Sequence, residues 1–205
     1  AKVSAGKVLI TAQGNTRKLL LAERTALNFL SHLSGISTLT SQWVAAVAGT
    51  KCEIRDTRKT TPGLRQLEKF AVRMGGGTNH RISLSEAALI KDNHIVAAGS
   101  ITAAFKLIKE KYPNKSVEIE IDSINQLAEA ISFKPDLILL DNMSVEQCKE
   151  AVLKTAGSVK LEASGGLVIS NAKAYADTGV NYLAVGALTH SAPVFDIGLD
   201  FRKGK

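Results

Sequence analysis

Residues 117–141 read VEIEIDSINQLAEAISFKPDLILLD: an apolar strand, a turn, an amphipathic helix, a Lys-Pro-Asp turn and a second apolar strand. Each strand is a short apolar run bounded by turn formers, the pattern of a strand buried on both faces. The same unit recurs along the chain. Val159–Ala163 and Tyr182–Val185 follow at spacings of about twenty residues, each leading into a helix of roughly ten, and Cys52–Arg55 and Ala87–Ile90 precede them. Alternating strands and helices imply a parallel sheet with helices outside. Counting the run Val8-Leu9-Ile10 near the start, there are six or seven strands, which suits an α/β barrel or a doubly wound sheet.

The residues at the strand ends separate these two. Asp56-Thr57-Arg58-Lys59, Lys91-Asp92-Asn93-His94, Glu120 with Asp122, Asp141-Asn142, Ser164-Gly165-Gly166 and Gly186-Ala187 each close a strand. A barrel brings all such ends to one mouth, where barrel enzymes place their chemistry; a doubly wound sheet gathers two or three at its switch point. Six polar ends favour the barrel, TIM-like with six or seven parallel strands. Upstream, Asn15 caps a helix to about Leu33, with Leu19, Ala22, Ala26, Phe29, Leu30 and Leu33 on one face. Arg24 falls just outside that face, and a second helix is expected over Thr38–Ala48. Residues 1–34 therefore read as the remnant of another domain with its connecting helix, 35–190 as the barrel and 191–205 as a C-terminal return segment.

The chain has 205 residues, 26 Lys plus Arg against 19 Asp plus Glu, and 45% hydrophobic residues, which excludes intrinsic disorder. No run of ~18 apolar residues is present to make a transmembrane helix. Cys52 and Cys148 match no metal-ligand spacing and read as reduced, buried thiols of a cytoplasmic protein. The opening AKVSAGKVLI has neither Met nor a signal-peptide layout and looks like a chain cut inside a longer one. A pI near 9.4 raises the alternative of a nucleic-acid-binding domain. With only 6 Phe, 3 Tyr and 1 Trp, mostly at apolar positions, base stacking has little support.

The charge is local. Lys51 to His94 carries nine cations against five acids, more than half of the net +7. Arg65, Lys69 and Arg73 recur at helical spacing and read as a solvated face. Arg58 and Lys59 lie in the turn TRKTTPG, where a guanidinium fork and an ammonium point charge suit a carboxylate or phosphate. Gly75-Gly76-Gly77 before Asn79-His80-Arg81 reads as a helix C-cap and tight connection, and His80 alone as a structural hydrogen-bonding residue. Glu120 and Asp141 could bind Mg²⁺, accept from sugar hydroxyls or stabilise developing positive charge. A glycosidase pair fits poorly among so many cations. Ser164-Gly165-Gly166 and Val185-Gly186-Ala187 offer backbone N–H groups to a phosphate. Such a mouth describes a phosphorylated sugar beside an acidic partner.

The segments TRKTTPGLR (57–65), GGGTNHR (75–81) and LIKDNH (89–94), preceded by AERTALNF (22–29), closely resemble the quinolinate phosphoribosyltransferase family. LDNM (140–143), ASGG (163–166) and VGALTH (185–190) follow in the family's order, so the resemblance runs from about Gly6 to Phe201. It implies an incomplete barrel with a smaller N-terminal α+β domain, largely absent from these residues, and transfer of phosphoribose from phosphoribosyl pyrophosphate to quinolinate with decarboxylation. It implies a homodimer or higher homo-oligomer, Mg²⁺ held mainly by the pyrophosphate, and no nucleic acid or membrane. It assigns Arg24 (reaching a neighbouring site), Thr57, Arg58, Lys59, His80, Arg81 and Lys91 to quinolinate. Glu120, Asp141, Ser164, Gly165, Gly166, Val185, Gly186 and Ala187 fall to phosphoribosyl pyrophosphate, with Lys59, Lys91, Glu120 and Asp141 catalytic and Glu120 and Asp141 also near the metal. A relative with another acceptor, such as nicotinate, is the alternative; Arg24, Arg58, Arg81 and Lys91 together favour a dicarboxylate.

Overall fold

Six short strands form one parallel sheet in the computed structural model, which describes residues 2–201. They are β1 (Glu53–Arg55), β2 (Ala87–Ile90), β3 (Ser116–Ile121), β4 (Leu137–Asp141), β5 (Lys160–Ser164) and β6 (Tyr182–Ala184). Their order is β1-β6-β5-β4-β3-β2, every pair parallel. Consecutive strands are thus neighbours from β2 round to β6, and β6 returns to β1, which is barrel order with one break between β1 and β2. Thr78 partly fills the break. It bridges Arg55, its N–H donates to the Ile54 carbonyl at 2.8 Å, and its carbonyl accepts from Asp56 N–H at 3.2 Å. Residues 78–81 therefore stand where a seventh strand would run without completing one.

Alternation along β3 explains both sides of this wall. Val117, Ile119 and Ile121 point outward into the apolar layer beneath the helices, joined there by Ile138, Leu140, Leu161 and Leu183. Glu118 and Glu120 point the other way, into the barrel. Burying each large apolar side chain contributes about 1.5–3 kcal/mol, so the outer layer carries the fold and leaves the inner face free for polar groups. The helices are α1 (Thr16–Ala46), α2 (Arg65–Met74), α3 (Asp92–Ala98), α4 (Ile101–Lys111), α5 (Leu127–Ser132), α6 (Val145–Thr155), α7 (Ile169–Ala176) and the short α8 (Ala187–His190). Ser144 and Gln147 cap α6 reciprocally, at 3.3 and 2.8 Å.

Three expectations are corrected. Val8-Leu9-Ile10 forms no strand and is exposed, having no neighbouring strand to pair with. The two early helices are one helix of 31 residues. Gly35 lies inside it where the C-terminal segment crosses: a Cβ would stand 1.9 Å from the Pro193 carbonyl oxygen. The packed stripe of α1 is Leu27, Ser31, Gly35, Ile36, Thr40 and Trp43, whereas Ala22, Ala26 and Phe29 of the expected apolar face are exposed. Small residues win that stripe because the crossing segment comes close, with Phe195 N–H donating to the Ser31 carbonyl at 3.3 Å.

Candidate active site

A cavity of about 760 Å³ opens at the C-terminal ends of the strands. Thr57, Arg58 and Lys59 enter it after β1, His80 and Arg81 from the half-strand at the break, and Lys91 after β2. Glu120, Asp141, Ser164-Gly165-Gly166 and Val185-Gly186-Ala187 complete the ring from β3 to β6. Of the residues expected at the site, Arg24 alone lies elsewhere, exposed on α1 beside a smaller hollow of about 320 Å³ with His32 and Phe195. Sequence reasoning missed Leu89, Leu139, Leu167 and Ala184, which give the cavity an apolar side, and Glu162 and His190. Glu162 carried a legible signal, a charge at the centre of an apolar strand. The leucines carried none, since inward and outward strand residues look alike.

The cations crowd together. Arg81 is buried, and Nη1 donates to the Ala87 carbonyl at 2.8 Å, tying the half-strand to β2 across the break. Burial and then the neighbouring Arg58 guanidinium push its pKa down. Arg58 Nε is buried without a hydrogen-bond partner, a vacancy that an anionic ligand suits. Lys91 pairs with Glu120, and its own N–H donates to His94 Nδ1 at 2.9 Å, which fixes the turn of LIKDNH. Thr189 Oγ1 donates to the Lys59 carbonyl at 2.7 Å and anchors that turn from the far end of the chain.

Under the cations lies a buried polar cluster. His80 Nδ1 accepts from Arg81 N–H at 2.8 Å, so the ring proton sits on Nε2, 3.1 Å from Glu162 Oε1 and 3.3 Å from Glu118 Oε2. Neither oxygen has a well-aligned hydrogen bond, because one N–H cannot point at both. The other Glu162 oxygen accepts from Arg55 at 2.9 Å, and Arg55 stacks on Tyr182. Burial pushes the Glu118 carboxyl up from its ordinary range. Both ring nitrogens of His80 thus face protein.

Lys69 of α2 is the clearest correction. Lys69 is 1% exposed, not solvated. It pairs with Asp56 and donates to the His80 carbonyl at 2.8 Å. Arg65 donates to Thr60 Oγ1, the Ile82 carbonyl and the Arg58 carbonyl, and Arg73 to Asn79 Oδ1. Helical spacing put these residues on one face correctly: Arg73 is exposed to water as expected, Arg65 is half-buried against a polar turn, and Lys69 between them is buried.

On the opposite wall, Asn142 adopts a left-handed φ of 53° and its amide donates to Asp141 at 2.8 Å. Gly165 sits against it at φ +84°, where a Cβ would come within 2.1 Å of Asn142 Oδ1. The backbone N–H groups of Gly165, Gly166, Gly186 and Ala187 donate to no other described group, so they are free for a ligand.

A family model for the C-terminal domain of quinolinate phosphoribosyl transferase matches residues 36–200, and one for its N-terminal domain matches residues 1–34. The chain belongs to the quinolinate phosphoribosyltransferase family. It is 54% identical to the nicotinate-nucleotide pyrophosphorylase [carboxylating] of Mycobacterium leprae, over 98% of this chain and 72% of that protein. A probable pyrophosphorylase of Bacillus subtilis is 43% identical over 95% and 68%. The crystal structure of nicotinate-nucleotide pyrophosphorylase from Ehrlichia chaffeensis superposes with a TM-score of 0.86 at 48% identity, covering 89% of this chain and 66% of that one. Like these quinolinate phosphoribosyltransferase relatives, the chain has the incomplete α/β barrel. No helix among the described residues is long and apolar enough to cross a membrane. Both cysteines are free and buried.

Proposed function

We propose that this chain transfers phosphoribose from phosphoribosyl pyrophosphate to the ring nitrogen of quinolinate and releases carbon dioxide, giving nicotinate mononucleotide and pyrophosphate in NAD biosynthesis. The observation that carries this reading is the division of the cavity. Arg58, Arg81 and Lys91 form one wall beside the break, Asp141 and the bare backbone N–H groups of the glycine turns form the other, and the Lys59 side chain lies against Gly186 of that second wall. A dicarboxylate fits the first wall and a phosphorylated sugar the second.

In this reading Arg58, Arg81 and Lys91, with Thr57 beside them, grip the quinolinate carboxylates, while His80 holds Arg81 in direction. The apolar side formed by Leu89, Leu139 and Ala184 takes the ring. Gly165, Gly166, Gly186 and Ala187 bind the 5′-phosphate, supported by Ser164 and Val185. As pyrophosphate leaves, positive charge grows on the ribose. Glu120 and Asp141 stabilise it and orient the hydroxyls, and Lys59 and Lys91 offset the charge on the departing group. Lys91 is bound to Glu120 before substrate arrives, so ligand entry exchanges that partner. Once the ring nitrogen is alkylated it stabilises the electron pair of the breaking C–C bond on the adjacent ring carbon; the carboxylate leaves as carbon dioxide and a proton from water takes its place.

Among the described residues no cluster of three or more acidic, His or Cys side chains makes a metal cage. Two carboxylates suit Mg²⁺ carried in mainly by pyrophosphate oxygens, with Glu120 and Asp141 as its protein ligands. When bound, it neutralises charge on the leaving group. Arg24, outside the cavity and exposed, is assigned to the site of a second copy in a homo-oligomer. The two buried free thiols suit a reducing, cytoplasmic setting.

The test is direct: with quinolinate, phosphoribosyl pyrophosphate and Mg²⁺, the protein releases carbon dioxide and nicotinate mononucleotide in equal amounts. Transfer to nicotinate with none to quinolinate would overturn the assignment.

A further inference from the structure

We propose that α2 positions the quinolinate half of the site, with the buried Lys69–Asp56 pair at its centre; the inference rests on the proposed function of that half. Lys69 and Asp56 are 1% and 0% exposed, too deep to meet a substrate. A buried ion pair adds little stability over an apolar pair of the same volume. Its value here lies in what it joins.

Asp56 Oδ1 accepts from the Lys69 ammonium and from the His80 N–H at 2.9 Å, and Oδ2 accepts from the Asn79 amide. Lys69 donates in turn to the His80 carbonyl. Both backbone polar groups of His80 are therefore fixed by one charge pair, and with them the direction in which Arg81 leaves the chain. Asp56 also leads directly into Thr57-Arg58-Lys59. The pair thus locks together two cation-bearing turns that share backbone pairing only at Thr78.

Arg65 extends the lock to Thr60, Ile82 and the Arg58 carbonyl, and Arg73 to Asn79. Glu120, Asp141 and the two glycine turns make none of these bonds. Glu120, Asp141 and Ser164-Gly165-Gly166 take their places from the ladder β3-β4-β5, while the Val185-Gly186-Ala187 turn also holds to β1, with Val185 N–H donating to the Arg55 carbonyl at 2.9 Å, and meets the Lys59 turn through Thr189. The α2 bonds reach the turns that carry the quinolinate cations and not Asp141 or the Gly165 turn, so loosening α2 weakens quinolinate more than phosphoribosyl pyrophosphate.

The experiment uses the 205-residue chain, the double variant Asp56→Asn/Lys69→Met, which leaves no stranded buried charge, and Arg65→Gln. Calorimetry measures quinolinate binding and, separately, phosphoribosyl pyrophosphate binding with Mg²⁺, alongside thermal melting and amide exchange. The expected result for the folded double variant is a ~10–100-fold loss of quinolinate affinity with phosphoribosyl pyrophosphate changed less than ~3-fold, the scale seen when supporting contacts of a site are removed. Amide exchange should rise in residues 57–60 and 79–82. Arg65→Gln should show the same split, with a roughly 3–10-fold loss of quinolinate affinity and phosphoribosyl pyrophosphate affinity held. Equal weakening of both ligands, or no weakening in a folded variant, overturns the proposal. Should the double variant fail to fold, Arg65→Gln decides by the same split. A parent chain that binds no quinolinate overturns the functional reading first, and the positioning role falls with it.

Discussion

Gly165 shows how a single residue ties the fold to chemistry. Its left-handed φ and its contact with Asn142 leave no room for a side chain. Gly165→Ala should cost about 1–3 kcal/mol in backbone strain and displace Asn142. KM for phosphoribosyl pyrophosphate should then rise roughly tenfold or more while quinolinate affinity holds, which steady-state kinetics with each substrate varied would check. The thiols give a second prediction. Burial pushes Cys52 up from 9.0 to about 12 and Cys148 to about 11. Both stay neutral and unreactive at pH 8, so a thiol reagent should label them only after unfolding. Because the folded state holds these protons more tightly, their contribution to stability is complete below pH 9.0 and is lost as pH climbs through about 12. Cys52→Ala should lessen the alkaline fall in Tm. At this scale the sequence was informative about Arg58, Lys91, Glu120 and the glycines, because turns and strand ends advertise polar groups. It was misleading about Lys69, since a buried and a solvated lysine have the same letter and the same spacing.

Among the elements, α1 is where periodicity and packing part. A helix ending near Leu33 and a second over Thr38–Ala48 were expected, and the structure runs one helix through both. Gly35→Ala would gain about 1 kcal/mol in helix propensity. It would also drive a methyl group into the Pro193 carbonyl, and such overpacking costs about 1–3 kcal/mol. The clash should win, lowering Tm by a few degrees and raising amide exchange at residues 194–195. The strands from β2 to β6 were legible nearly to their ends, because an apolar run flanked by turns has few other ways to hide its backbone. The half-strand at Thr78 was not, since it makes one bridge and holds its place by side chains from α2.

At the scale of the whole molecule, barrel order follows from the alternation of strands with helices and the gathering of polar ends at one mouth, both readable before any coordinate. Which residues sit outside the mouth was less so, and Arg24 is the test. If it completes a second copy's site, mixing Arg24→Ala with Arg81→Ala chains, each inactive alone, should restore up to about a quarter of full activity, as random pairing in a dimer gives one intact site in half of the assemblies. No recovery after subunit exchange would place Arg24 in its own chain's chemistry or in none. The break between β1 and β2 has a last consequence. In a closed barrel the strand number and shear dictate the diameter. Here the circumference is unclosed, and a guanidinium reaching from Arg81 to the Ala87 carbonyl spans the gap. An anion that draws on that same guanidinium engages the clasp of its own container.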